Sequence, residues 1–129
     1  TSTQNVIGIY HNNTYIGGVN TSTTGTSFPT SSDYRLKENV VSLSNGITRL
    51  KELKPYRFNF KIEPSKTVDG FFAHEVTSVV PEAVEGEKDG ERMQALDHSK
   101  LVPLLTAALK EAISKIETLE TKVAALEGA

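Results

Sequence analysis

Residues 1–31 contain no Asp, Glu, Lys or Arg; all sixteen acidic and all fourteen basic side chains lie from Asp33 onward. This step constrains folding strongly, because a lead made mostly of Thr, Ser, Asn and Gly cannot bury enough apolar surface to offset the entropy of ordering itself. Its apolar and aromatic residues, Val6, Ile7, Ile9, Tyr10, Tyr15, Ile16 and Val19, suit short strands, with Asn12-Asn13 and Gly17-Gly18 as turn sites between them. Residues 21–31 (TSTTGTSFPTS) then read as a polar linker without periodicity. The segment is either the last turns of a repetitive β-stalk that other chains complete or a flexible lead-in, and the stalk is the preferred reading.

Residues 32–129 have the composition of a globular domain, and the chain as a whole has room for one real core rather than two. Val40, Leu43, Ile47, Leu50 and Leu53 recur at helical spacing, but Asn45-Gly46 interrupts them, so the expected helix is 47–54, stopped by Pro55. Tyr56, Phe58, Phe60 and Ile62 alternate with Arg57, Asn59, Lys61 and Glu63, which predicts a half-buried strand over 56–63. Residues 63–70 (EPSKTVDG) carry turn chemistry and would form the tip of a long hairpin returning as a strand over 70–73. The stretch 71–80 should begin as a strand and become a short helix ended by Pro81. Residues 83–84 and 93–96 should pair across a charged loop that turns at Asp89-Gly90.

The C-terminal stretch 99–127 predicts one long helix, capped by Asp97 or Ser99, with Pro103 in the first turn where a missing N–H costs little. With Val102, Leu109, Ile116 and Val123 at heptad position a, Leu105, Ala112, Leu119 and Leu126 fall at d, a coiled-coil seam. Lys115 and Lys122 at g would face Glu120 and Glu127 at e of a parallel neighbour. The seam runs almost to the last residue, further than a small domain could cover, which points to a parallel oligomer. β-Branched residues at a with Leu at d favour two strands, whereas Leu101 at g and Ile113 at e widen the stripe toward a third partner. Heptad rules leave dimer and trimer open. The expected fold class is α+β: small antiparallel β-hairpins, short helices and a long C-terminal coiled-coil helix.

Composition removes several function classes. A net charge of −2 and a pI near 5.9 provide no basic field for nucleic acid. Cysteine is absent, so disulfides and thiolate metal sites are excluded. No apolar run approaches a membrane span, and the first residues lack the pattern of a signal peptide, so a soluble protein is expected. His74-Glu75 is followed by Ser78 where a zincin would place its second histidine, and His11, His74 and His98 have no ligand spacing. No phosphate-binding loop is present, and the aromatic strand reads as core rather than as a base-stacking platform. No metal, cofactor, nucleic acid or membrane partner is expected.

One stretch on the compositional boundary could do chemistry, Ser31-Ser32-Asp33-Tyr34-Arg35-Leu36-Lys37. A serine becomes a nucleophile when a base takes its proton, and a neutral lysine can serve. Five positions separate Ser32 from Lys37, about 140° on a helix and opposite faces on a strand. Either a tight turn brings them together or Lys37 reaches Ser32 of another chain. The plain alternative is a polar boundary with Asp33 as an N-cap and Lys37 solvated. Free lysine titrates near about 10.4, so a lysine base needs burial or a nearby cation, for which Arg35 is the local candidate.

SDYRLKENV, LKELKPYRFNF, DGFFAHEV, VPEAV and DHSKLVPLLTAALKEAI, in that order, resemble the C-terminal intramolecular chaperone domain that ends phage endosialidases, L-shaped tail fibres and neck appendages. A related domain occurs in a self-cleaving membrane-bound transcription factor. The resemblance covers residues 32–126. It implies a parallel homotrimer whose C-terminal domain aligns three chains while an upstream triple-stranded β-stalk folds, and then cuts itself off. Carried onto this sequence, the scissile bond is Ser31–Ser32, Ser32 is the nucleophile and Lys37 its base, in a serine peptidase acting once on its own chain. Asp33, Arg35, His74 and Glu75, to which the resemblance gives no role, are further candidates to support them. Phe72 and His74 depart from the family's Ile and Gln, and His74 reads as structural. The division implied is 1–31 as stalk end and linker and 32–129 as the chaperone. Assembly would occur in the host cytoplasm, with the parent fibre in the virion and the chaperone released. Competing readings are a permanent, uncleaved trimerisation and attachment tip, and a dimeric coiled-coil adaptor.

Overall fold

The computed structural model describes residues 4–129 and divides the chain into two compact units, Thr1–Val41 and Ser42–Ala129. The first three residues of the expected stalk segment lie outside the described residues. The division falls ten residues past the compositional step, so Ser32 and Lys37 group with the charge-free segment.

In the first unit, β1 (Gln4–His11) and β2 (Thr14–Thr21) form an antiparallel hairpin. Asn12 and Asn13 make its turn with φ of 46° and 60°, the left-handed pair that a two-residue hairpin turn requires and that asparagine tolerates. A third strand, β3 (Thr26–Ser27), pairs with the other edge of β2, and a bridge between Gly17 and Thr30 continues it. Two expectations are corrected here. The linker over 21–31 contains a strand, because its backbone groups find partners on β2. Gly17-Gly18 is the buried middle of β2 rather than a turn, and each glycine admits one neighbour. A Cβ on Gly18 would collide with the Ile7 carbonyl oxygen of β1, and one on Gly17 would sit 2.8 Å from the Pro29 oxygen. Val6, Ile7, Ile9 and Tyr10 remain exposed, so this sheet has no core of its own.

The second unit starts with α1 (Gly46–Leu50). It is shorter than the expected 47–54, and a turn in which the Leu53 N–H donates to the Leu50 carbonyl fills the distance to Pro55. Next, β4 (Tyr56–Phe60) and β5 (Glu63–Gly70) form a hairpin with its turn at Lys61-Ile62. Residues 63–70 are therefore the second strand and not the tip. Cross-strand chemistry outweighs local turn propensity: the Arg57 guanidinium binds the Asp69 carboxylate at 2.8 and 3.2 Å, and the Asn59 amide donates to the Thr67 hydroxyl at 3.0 Å. Pro64 is tolerated because it stands at the start of an edge strand. No strand continues over 70–73 beyond Gly70; Phe71 and Phe72 lead directly into α2 (Ala73–Val76).

Two short strands, β6 (Val84–Glu85) and β7 (Ala95–Leu96), pair as expected. A 3-10 turn over His98–Leu101 enters α3 (Val102–Glu127). Asp97 caps that turn, its carboxylate accepting from the Ser99 N–H at 3.0 Å and the Ser99 hydroxyl at 2.6 Å. The fold is thus α+β, with small antiparallel strand pairs, short helices and one long terminal helix.

Val76, Val79, Val80, Ala83, Leu101 and Leu104 form a small buried core, packed by Leu53, Phe71, Val84 and Leu96. Ala108 is buried under Gly46, whose missing side chain lets α1 lie on α3: a Cβ there would come within 2.5 Å of the Ala108 nitrogen. Leu101 is only 4% exposed and belongs to this core, so it does not widen the heptad stripe. The seam itself points away from the core. Val102, Leu105, Leu109, Ile116, Leu119, Val123 and Leu126 are all exposed, and Ala112 is half-buried. Among the described residues no helix is long and apolar enough to cross a membrane.

Candidate functional site

The ten residues from Ser32 to Val41 are all exposed and contain one short turn. Tyr34–Leu36 form a single 3-10 turn, closed by the Leu36 N–H on the Asp33 carbonyl and the Lys37 N–H on the Tyr34 carbonyl, both at 3.1 Å. Asp33 on one side and Lys37 on the other are extended. That combination, which no uninterrupted helix or strand supplies, folds the chain back so that the Lys37 Nζ donates to the Ser32 Oγ at 2.8 Å.

Asp33 fastens the turn. Its Oδ1 accepts from the Arg35 backbone N–H and Nε at 2.9 Å each, and its Oδ2 accepts from Nη2 at 2.8 Å. The Arg35 side-chain bonds and its backbone N–H, together with the charge of Lys37, hold the Asp33 carboxyl below the usual carboxylate range, while Asp33 raises Arg35. Arg35 is therefore paired, and its charge is largely offset before it can act on Lys37. The expected role of Arg35 as the cation beside the lysine does not fit this geometry.

The bond before Ser32 is held from upstream. The Gly18 N–H donates to the Pro29 carbonyl at 3.1 Å, and the Ser31 N–H to the Ile16 carbonyl at 2.9 Å. The Ser31 hydroxyl donates to the Tyr15 carbonyl at 2.9 Å. These partners on β2 were missed in the sequence because Gly17-Gly18 reads equally well as a turn. The spacing of Thr26, Phe28 and Thr30, alternate residues with strand propensity, was the available signal.

His74 and Glu75 lie on α2 in the second unit. His74 is exposed and stacks on Phe72 with ring centroids 5.7 Å apart. Glu75 Oε1 accepts from the Lys54 Nζ at 3.2 Å and the Tyr56 hydroxyl at 3.3 Å. Burial pushes the Glu75 carboxyl up, but those two bonds and the Lys54 charge outweigh it and hold it low. The pair Lys54–Glu75 thus ties α2 to the start of β4. Among the described residues no group of His, Asp and Glu is arranged to hold a metal ion.

Residues 32–85 match the model of a family named as a peptidase and described as chaperone of endosialidase. The chain is also 34% identical over 90 residues to a long tail fiber protein of Escherichia phage AR1, a match taking in 62% of this chain and 8% of that protein. The chain thus spans under a tenth of that relative's length. The family match begins on Ser32, the residue that Lys37 touches. Over residues 32–85 the chain is similar to the endosialidase-chaperone family.

Proposed function

We propose that this chain is the end of a phage tail fibre or related appendage, in which the domain beginning at Ser32 trimerises, sets the register of an upstream β-stalk and then releases itself. The 2.8 Å contact between Lys37 and Ser32 at the first residue of the family match carries this reading. A stalk of interwound Thr/Ser/Gly-rich strands specifies its own register poorly, since most partners lie on other chains. The exposed seam of α3 would join three chains in parallel and convert stalk folding into an intramolecular event. Removing the template afterwards leaves the stalk held by its own unfolding barrier.

In the cut, a neutral Lys37 amine takes the Ser32 hydroxyl proton and the Ser32 Oγ adds to the Ser31 carbonyl carbon. The Ser31–Ser32 C–N bond breaks, and the departing Ser32 nitrogen takes the proton back from the Lys37 ammonium. This leaves Ser31 esterified to the Ser32 oxygen. Water then adds to the ester carbonyl, the C–Oγ bond breaks, and Ser31 becomes a carboxylate while Ser32 regains its hydroxyl. Ser32 and Lys37 are exposed in one chain. Neighbouring chains would supply the cover that favours a neutral amine and delays the cut until assembly. His74 and Glu75 act structurally in this reading, as the Phe72 stack and the Lys54–Tyr56 bonds suggest.

Intact mass of freshly expressed protein tests the proposal: a product running from Ser32 to Ala129 is expected. Ser32→Ala and Lys37→Ala should each abolish it while leaving the oligomer intact, and hydroxylamine should trap the ester as a hydroxamate at Ser31. An uncut wild-type chain would favour a permanent attachment tip instead.

A further inference from the structure

We propose that β2 is the presenting strand of this reaction: it holds residues 29–31 as a substrate strand, with Gly17 and the Ser31 hydroxyl as positioning groups for the Ser31 carbonyl. The inference rests on the self-cleavage reading and adds a condition to it. Where the Ser32 Oγ lies relative to the carbonyl carbon of Ser31 depends on two torsions, φ and χ1 of Ser32, across a planar peptide, while ψ of Ser31 sets how the strand behind presents that peptide to Lys37. The contact from Lys37 restrains the downstream side of the bond. Three hydrogen bonds restrain the upstream side, from Gly18 to Pro29, from Ser31 N–H to Ile16, and from the Ser31 hydroxyl to Tyr15. The bond to be broken therefore lies between two anchors only one residue apart. Holding reacting groups at a fixed approach is a large source of rate, and a displacement of about 1 Å can cost on the order of a hundredfold.

The same geometry distinguishes two adjacent serines. The Ser31 hydroxyl is committed to the Tyr15 carbonyl, whereas the Ser32 hydroxyl is the one beside the amine. Gly17 makes the docking possible, because a Cβ there would stand 2.8 Å from the Pro29 oxygen, a backbone atom that cannot yield alone. Until β2 is extended, Ser31 has nothing to lie against, so the cut waits on the strand beside it.

The test is refolding of the full chain from denaturant, with the cut fraction followed by intact mass as a function of time and pH. Ser31→Ala should slow cutting about fivefold, the worth of one hydrogen bond, and Ser31→Thr, which keeps a hydroxyl on a strand-forming residue, should restore it. Gly17→Ala should slow it about tenfold or more. Both should lower the rate by one factor at every pH, since neither group exchanges the proton. Wild-type rates for Ser31→Ala and Gly17→Ala, with Ser32→Ala still inert, would overturn the presenting strand and leave self-cleavage standing. Equal slowing by Ser31→Thr and Ser31→Ala would overturn the role of the hydroxyl. Cutting by Ser32→Ala at the wild-type rate would instead remove the self-cleavage reading on which the inference rests.

Discussion

Asp33 does three things with one carboxylate: it caps the 3-10 turn, holds the Arg35 side chain at two points and stays ionised while doing so. The reach of Lys37 depends on that turn, so Asp33→Ala should slow self-cleavage about tenfold, roughly what a lost cap costs the conformation it stabilises. A time course of intact mass would show this, and an unchanged rate would mean that the turn forms without its clamp. Because Lys37 meets Ser32 within one chain, co-expressing Ser32→Ala with Lys37→Ala should yield no product. A cut Lys37→Ala chain would show that a neighbour's lysine serves. The residue types made Ser32 and Lys37 candidates and the resemblance supplied their roles; spacing left their meeting open between a turn and another chain, because a separation of five fits no regular element. The pairing of Arg35 was not legible, since Asp33 reads equally well as a cap alone.

Periodicity was most informative for the long helix; in the aromatic stretch it found β4 but not its end or its burial, since the strand stops at Phe60 and Phe60 and Ile62 are 58 and 96% exposed, and turn chemistry misled after it. Residues 63–70 hold Pro, Ser, Lys, Asp and Gly, yet they form a strand because Arg57 and Asn59 bind Asp69 and Thr67 across the hairpin. Such partners lie eight and twelve residues away, outside the window in which turn signals are read. The docking of α1 on α3 was likewise unreadable. It uses Glu111, which lies 64 residues from Ile47 and accepts its backbone N–H at 3.0 Å. That N–H, with Lys115, holds the Glu111 carboxyl below its ordinary value of 4.5. A depressed carboxyl contributes stability that is present above the unfolded value and lost as pH falls through the folded one. Glu111→Gln should therefore lower the denaturant midpoint at pH 7, and the gap to wild type should close as the pH drops below about 4. A gap of equal size at pH 7 and pH 3 would assign Glu111 no electrostatic part. Gly46→Ala should separate the same two helices by crowding, at about 1–3 kcal/mol, read as a lowered midpoint at all pH values.

At the level of the molecule, α3 serves two surfaces. Leu104 and Ala108 face the core of the second unit, while Ile116, Leu119 and Val123 remain half or more exposed at 54, 59 and 50%. The two faces predict separable defects. Leu104→Ala should cost about 2–5 kcal/mol of domain stability, seen by urea titration. Ile116→Glu or Leu119→Asp should leave the domain folded but bury like charges against their own copies, so light scattering should report a monomer. An oligomer that survived both charges would place the assembly surface elsewhere. The heptad pattern supplied the outer face, and its one misassignment, Leu101, came from a residue that satisfies the heptad and the core equally well. The pairing of residues 29–31 with β2 has a further consequence. A cut after Ser31 would create a new carboxyl terminus already fastened by its own amide and hydroxyl to the neighbouring strand. Carboxypeptidases act on frayed ends, and an end fastened in this way would have no loose tail to offer them.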